Sequence, residues 1–170
     1  MHAELLVLRL IHILSGIAWV GSGIFVAFFL IPALAATPLM PQVMNGLQRR
    51  RVFVLLPTAG LLTILSGMRL YWIDAAGFSG NFAATGTGAT LSVGAVAAFV
   101  AFGFQVFVSR PAGLRLGRVA AELAASPSDS ERDRLNAEAA RLRRRNGMAT
   151  LTAVWFGIIA AAAMAIARYV

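Results

Sequence analysis

Arg9 and His12 lie inside the apolar run LLVLRLIHILSGIAWVGSGIFVAFFL of residues 5–30. About 20 apolar residues at 1.5 Å each cross a hydrocarbon core of ~30 Å, so this run is long enough to span a bilayer. Ionisable side chains at such depth turn toward protein, water or a ligand, which makes the pair the strongest chemical signal in the chain. At 100° per residue, His12, Gly16, Trp19 and Gly23 fall within roughly 40° of one another. Glycines on that stripe admit either a neighbouring helix or a flat cofactor such as haem.

Depth groups further residues with His12. It falls about 9 Å to one side of the midpoint of its span, and Arg69 is about as far out on the next one, with Arg9 and Arg168 slightly further. One imidazole and three guanidinium groups at one depth are what a site for an anionic ligand, or for a b-type haem and its propionates, would need. His12 would be the metal ligand, and Arg9, Arg69 and Arg168 would meet the propionates. The plainer reading is that each arginine snorkels to the interface and His12 hydrogen-bonds a neighbouring helix. Arg69 lies nearly opposite Gly60 and Gly67, the small face of its helix, whereas Arg168 shares a stripe with Gly157, Ala161 and Met164. The second histidine, His2, is about 15 Å along the helix, so Met68, Met164, a water or His12 of a homodimer partner would have to complete the iron coordination. His2 and Glu4 could at most hold copper weakly.

The elements that must position these groups follow from composition. With 170 residues and 59% hydrophobic content, the chain has the size of one domain and is too apolar for a soluble one. Its mean hydropathy is +0.77. All 15 basic residues are arginine and cysteine is absent. Lysine chemistry, disulfides, thiolate metal sites, iron–sulfur clusters and covalently attached haem are excluded. No Ser/His/Asp set, phosphate-cradling loop or intramembrane carboxylate pair is present. The net charge of +8 does not signal nucleic acid, because the arginines flank apolar spans, where topology accounts for them. Glu4 and the missing basic leader argue that the first helix is retained rather than cleaved as a signal peptide.

Four spans are expected, at about 5–30, 52–73, 89–108 and 150–167, within a single membrane domain of residues 1–170. A proline-containing loop ending in Arg49, Arg50 and Arg51 joins the first two, and a loop rich in Gly, Ala, Ser and Thr joins the second and third. The polar segment 110–149 holds nine arginines against five acids. It reads as two short helices, one opened by Pro111, the other capped by Ser128 and Glu131 and ending at Asn146 and Gly147. The first and third loops hold twelve of the fifteen arginines, which turns them to the cytoplasm and both termini to the periplasm or exterior. The expected fold is therefore all-α: an integral membrane four-helix bundle with a cytoplasmic helical hairpin between helices 3 and 4. The arginines beside the spans are also suited to anionic lipid head groups.

The first-helix pattern LRLIHILSGIAWVGSGIF resembles the opening helix of the copper-resistance protein D-like superfamily. That group of small bacterial membrane proteins includes the membrane domain of a membrane-anchored urate oxidase and the membrane protoporphyrinogen oxidase. The shared feature is a histidine followed by tryptophan and glycine, here His12, Trp19 and Gly21, and the likeness extends to LTILSGMRLYW in the second helix. The resemblance implies a bacterial inner-membrane location and haem at His12. The lysine that the porphyrinogen oxidases need has no counterpart here, the cytochrome domain of the urate oxidases is missing, and the methionine and histidine clusters of a copper path are absent. Two readings follow. One is a haem b protein serving redox chemistry or electron transfer; the other is a cofactor-free structural or accessory subunit packed against other membrane subunits. A small copper or anion transporter ranks below both, because four helices without buried carboxylates offer few coupling groups.

Overall fold

The computed structural model describes residues 2–35, 37, 39–77, 81–125 and 128–170. Pro38 of the first loop, residues 78–80 of the second, and Ser126 and Pro127 ahead of the Ser128 cap lie outside the described residues. The chain is all-α, with no strand among the described residues. Four helices are long and apolar enough to cross a membrane: α1 (His2–Ala35), α3 (Val52–Asp74), α4 (Gly86–Ala124) and α5 (Asp129–Tyr169). A shorter helix, α2 (Met40–Arg49), occupies much of what the sequence suggested was a loop. A left-handed residue, Arg51 at φ 55°, turns the chain from α2 into α3.

Two of the long helices run through wide turns. Ile17–Gly21 and Val26–Leu30 of α1 and Phe104–Ser109 of α4 are π-helical. Two of these stretches come just before Pro32 and Pro111, which have no N–H to give to the preceding turn. A wide turn accommodates such a gap without breaking the helix. This corrects two boundaries drawn from sequence. Pro111 does not open a separate helix, because α4 continues through it, and Asn146 and Gly147 do not end one, because α5 runs unbroken from Asp129. The polar hairpin is thus the outward continuation of the third and fourth apolar helices. Ser128 does stand at the N-terminus of α5, but its side chain makes no capping bond, and Glu131 instead pairs with Arg134 at 2.6 Å. The start of α4 is capped through a side chain, with Gly88 N–H donating to Thr85 Oγ1 at 3.0 Å.

Helix α1 packs antiparallel on α3, and α4 packs antiparallel on α5; α3 also meets α4, and α1 meets α5, closing a ring of four. Trp19 of α1 reaches across this ring. It is 7% exposed and belongs to a core with Ile64 of α3 and Ala101 of α4. Its ring meets Phe102 edge-on at 5.9 Å, and its indole N–H donates to Gln105 Oε1. Both partners of that hydrogen bond lie in π-helical stretches. Elsewhere the contacts are narrow. Only 11% to 28% of the residues in each apolar stretch are buried, and large side chains such as Phe25, Phe29, Phe99 and Phe107 face outward. The accessible surface of 10979 Å² exceeds the about 8,000 Å² expected of a compact soluble protein of this mass. Apolar surface displayed on this scale suits a lipid surrounding.

A second core fills the polar hairpin, where Val119, Leu135 and Ala139 pack with Leu116, Leu123 and Leu142. Arg115 closes it, holding Glu138 at 2.7 Å through Nε and at 3.2 Å through Nη2, and Glu122 at 3.1 Å. The hydrogen bonds from Arg115 hold the Glu138 carboxyl below its ordinary range, against the opposing effect of burial.

Candidate functional site

His12 sits where α1 crosses α3, and the crossing is built from complementary sizes. His12 lies over Gly67, Gly16 lies against Thr63, and Trp19 lies over Gly60, one antiparallel register repeated along the pair. A Cβ on Gly67 would come within 2.7 Å of His12 Cε1, and one on Gly60 within 2.9 Å of Trp19 Cε2. Small residues on α3 therefore seat the two largest side chains of the α1 stripe, as close helix packing in membranes requires. The inward face of α3 includes Gly60 and Gly67, as the sequence indicated, and also Thr63, Ile64 and Ser66, while Arg69 is exposed.

The crossing is polar at its centre. His12 Nδ1 is 2.8 Å from the Thr63 carbonyl oxygen. A carbonyl only accepts, so Nδ1 carries a proton, and in the neutral form of the ring Nε2 is the nitrogen with the lone pair. Thr63 Oγ1 lies 2.8 Å from both Ser15 Oγ and the Ala59 carbonyl, and Ser66 Oγ donates to Leu62 O at 2.6 Å. No protein group among the described residues hydrogen-bonds Nε2. No buried side-chain nitrogen or oxygen among them lacks a partner, so Nε2 keeps accessible surface. Histidines that bind metal characteristically have this arrangement: the ring N–H fixed on a carbonyl, the opposite nitrogen open.

The three arginines grouped with His12 by depth are separate from it here. Arg69 pairs with Glu4, at 2.7 Å through Nη2 and 3.1 Å through Nε, and the pair borders a shallow cleft with Leu5, Trp72 and Ile73. Arg168 lies over the Tyr169 ring at 5.2 Å. It falls off the packing stripe suggested for it, because the buried face of α5 runs through Val154, Gly157, Ala160, Ala163 and Ala167, and Ala161 is exposed. Arg9 is exposed and makes no hydrogen bond or ion pair with any described residue. Met68 is 48% exposed on α3, and His2 is exposed in the first turn of α1. Among the described residues no three His, Asp or Glu side chains gather into a metal-binding group.

Sequence reasoning found His12, its stripe and the small face of α3, but missed Thr63, Ser66 and Gln105. Period and depth identify faces on one helix; which backbone carbonyl a side chain meets on another is settled only by the register between helices. Compared with family models, with curated proteins and with solved structures, the chain matches none.

Proposed function

We propose that this chain is a multi-pass protein of a bacterial inner membrane that binds a b-type haem through Nε2 of His12 and serves redox chemistry or electron transfer. The observation that carries the reading is the Thr63 carbonyl, which orients the His12 ring through Nδ1 and leaves Nε2 without a hydrogen-bond partner among the described residues. The ring is also gripped against Gly67, so it is oriented before any ligand arrives. A bound haem would supply one-electron chemistry at its iron. This chain's residues would fix the axial nitrogen and meet the propionates. Arg9 is available for that role, whereas Arg69 would first have to release Glu4, and Arg168 would have to leave Tyr169. The likeness of the first helix to the copper-resistance protein D-like superfamily belongs to the same proposal and rests on His12, Trp19 and Gly21. The orientation follows the arginine excess, with 110–149 and the α2 segment in the cytoplasm and both termini outside.

The test is the visible spectrum of the protein purified in mild detergent from cells supplied with haem precursor, as isolated and after dithionite. A Soret band and a sharp reduced α-band near stoichiometry are expected, and His12→Ala should abolish both. A colourless, helical, monodisperse protein would sink the haem reading.

A second reading is favoured by the small residues left open on the outer faces. A Cβ at Gly21 or at Gly103 would meet nothing within 4 Å, so a further helix has room to approach closely there. On that reading the chain is a cofactor-free accessory subunit of a larger membrane complex. Its mark is stable co-purification with other membrane chains that His12→Ala leaves unchanged.

A further inference from the structure

The unbroken course of α5 changes what its arginines do. Had the helix ended at Asn146 and Gly147, Arg143, Arg144 and Arg145 would have filled its last turn, beside the free carbonyls of its C-terminus. Instead they are fixed on a continuous helix just before the last apolar stretch, and all three are exposed.

Their height can be read from the core. Trp19 meets Gly60 and Phe102, and Val20 meets Gly157, so these positions share one level near the middle of the apolar spans. Counting along each helix at 1.5 Å per residue puts Arg51, Arg110, Arg145 and Arg143 about 12 to 21 Å from that level, all toward the same end. Arg49 and Arg50 end α2 beside Arg51. The hydrocarbon boundary is ~15 Å from a bilayer's midplane, so seven guanidinium groups stand at the depth of the phosphates.

No described residue neutralises them. The carboxylates that form ion pairs in the hairpin are Glu122 and Glu138, held by Arg115, and Glu131, held by Arg134. Asp129 and Asp133 lie further along α5, in its first turns away from the apolar stretch. Arg49, Arg50, Arg51, Arg110, Arg143, Arg144 and Arg145 form no ion pair with any described residue, and each is exposed. Along α5 the i,i+4 pair Arg141 and Arg145 and the i,i+3 pair Arg141 and Arg144 carry like charge, which weakens a helix unless anions intervene. Beside them Gly147 leaves room, with nothing within 4 Å of a Cβ built there. Among the described residues the ion pairs on this side are thus confined to the hairpin, although Arg118, Arg132, Asp129 and Asp133 there form none, and the seven arginines at the membrane surface have no carboxylate partner.

We infer that this belt is a binding site for anionic phospholipid, whose phosphodiesters bridge the arginines of α4 and α5 and those at the start of α3. Guanidinium forks fit phosphate oxygens bidentately. The lipid acts as a structural ligand of the folded chain, beyond the general role of arginines in setting topology. The inference rests on the membrane-spanning reading and is independent of haem.

The experiment is native mass spectrometry of the full chain in detergent, titrated with phosphatidylglycerol or with phosphatidylcholine of the same acyl chains. Phosphatidylglycerol adducts should dominate, and inorganic phosphate should not displace them. Each arginine near an anionic surface contributes roughly five-fold in affinity, so Arg143→Gln/Arg144→Gln/Arg145→Gln should weaken phosphatidylglycerol binding by up to roughly a hundred-fold. Arg9→Gln/Arg168→Gln, at the other end of the helices, should leave it unchanged. If the triple variant does not fold, the wild type decides the matter, because its preference should collapse as salt is raised. Equal retention of the two lipids by the wild type, or full preference in a folded triple variant, overturns the inference. Extraction of the chain from membranes by alkaline carbonate would instead overturn the spanning reading beneath it.

Discussion

Gly60 and Gly67 are the residues on which the helix crossing depends. Alanine at either position would press a methyl into the Trp19 or His12 ring, at 2.9 Å and 2.7 Å. Neither ring can swing away freely, since one is bonded to Gln105 and the other to the Thr63 carbonyl. Gly60→Ala and Gly67→Ala should each lower stability by about 1 to 3 kcal/mol, the usual cost of overpacking. Gly21→Ala, with open space around it, should be neutral or stabilising by up to about 1 kcal/mol through helix propensity. Thermal unfolding in one detergent, followed by circular dichroism, compares all three. Equal effects at the three glycines would mean that the crossing is not packed as described. At this scale the α1 stripe was legible because its period is a property of one helix. Thr63 and Gln105 were not, because an ordinary polar side chain in an apolar run does not announce its partner on another helix.

Among the elements, α5 gives the clearest contrast between expectation and structure. Asn146 and Gly147 form a good stop signal in isolation, but the helix continues because it is buried on both sides of them, through Leu135 and Ala139 against Val119 of α4 and through Ala149 and Val154, the latter beside Gly23 of α1. Burial outweighs the ~1 kcal/mol that glycine costs inside a helix. Gly147→Ala should therefore raise the melting temperature by a few degrees, whereas a glycine in a left-handed cap would be harmed by the same change. The wide turns before Pro32 and Pro111 were equally illegible, because a proline in sequence marks a boundary and only the surrounding packing decides whether the helix absorbs it. In the hairpin, the Arg115 bonds lower the native pKa of Glu138. A carboxyl so lowered contributes stability that is present above its unfolded pKa and lost as pH falls from about 4.5 through its lower native value. Hydrogen exchange of amides around Val119 and Leu135 should accelerate over that acid range, and Glu138→Gln should remove most of the dependence. An unchanged profile in the variant would assign the acid response to other groups.

For the whole molecule, the four long apolar helices were readable because twenty-residue apolar runs have few alternatives in water or lipid, whereas the continuation of the last two into the polar hairpin was not. Absence of cysteine allows a direct check of topology by single-cysteine labelling with an impermeant maleimide. Gly46→Cys and Ser130→Cys should react from one side of the membrane and Thr85→Cys from the other; any other partition would change the number of crossings. The continuity of α5 also has a mechanical consequence. Its 41 residues form a rod of roughly 60 Å, clamped in its C-terminal half by the bundle and stiffened in its N-terminal half by the Val119 and Leu135 core. Such a rod is a lever with its fulcrum in the four-helix bundle. A tilt of about 5° over that length moves one end by about 5 Å relative to the other, so a load on the hairpin tip is felt at the Ala160 and Ala163 contacts with Gly94 without any loop to absorb it.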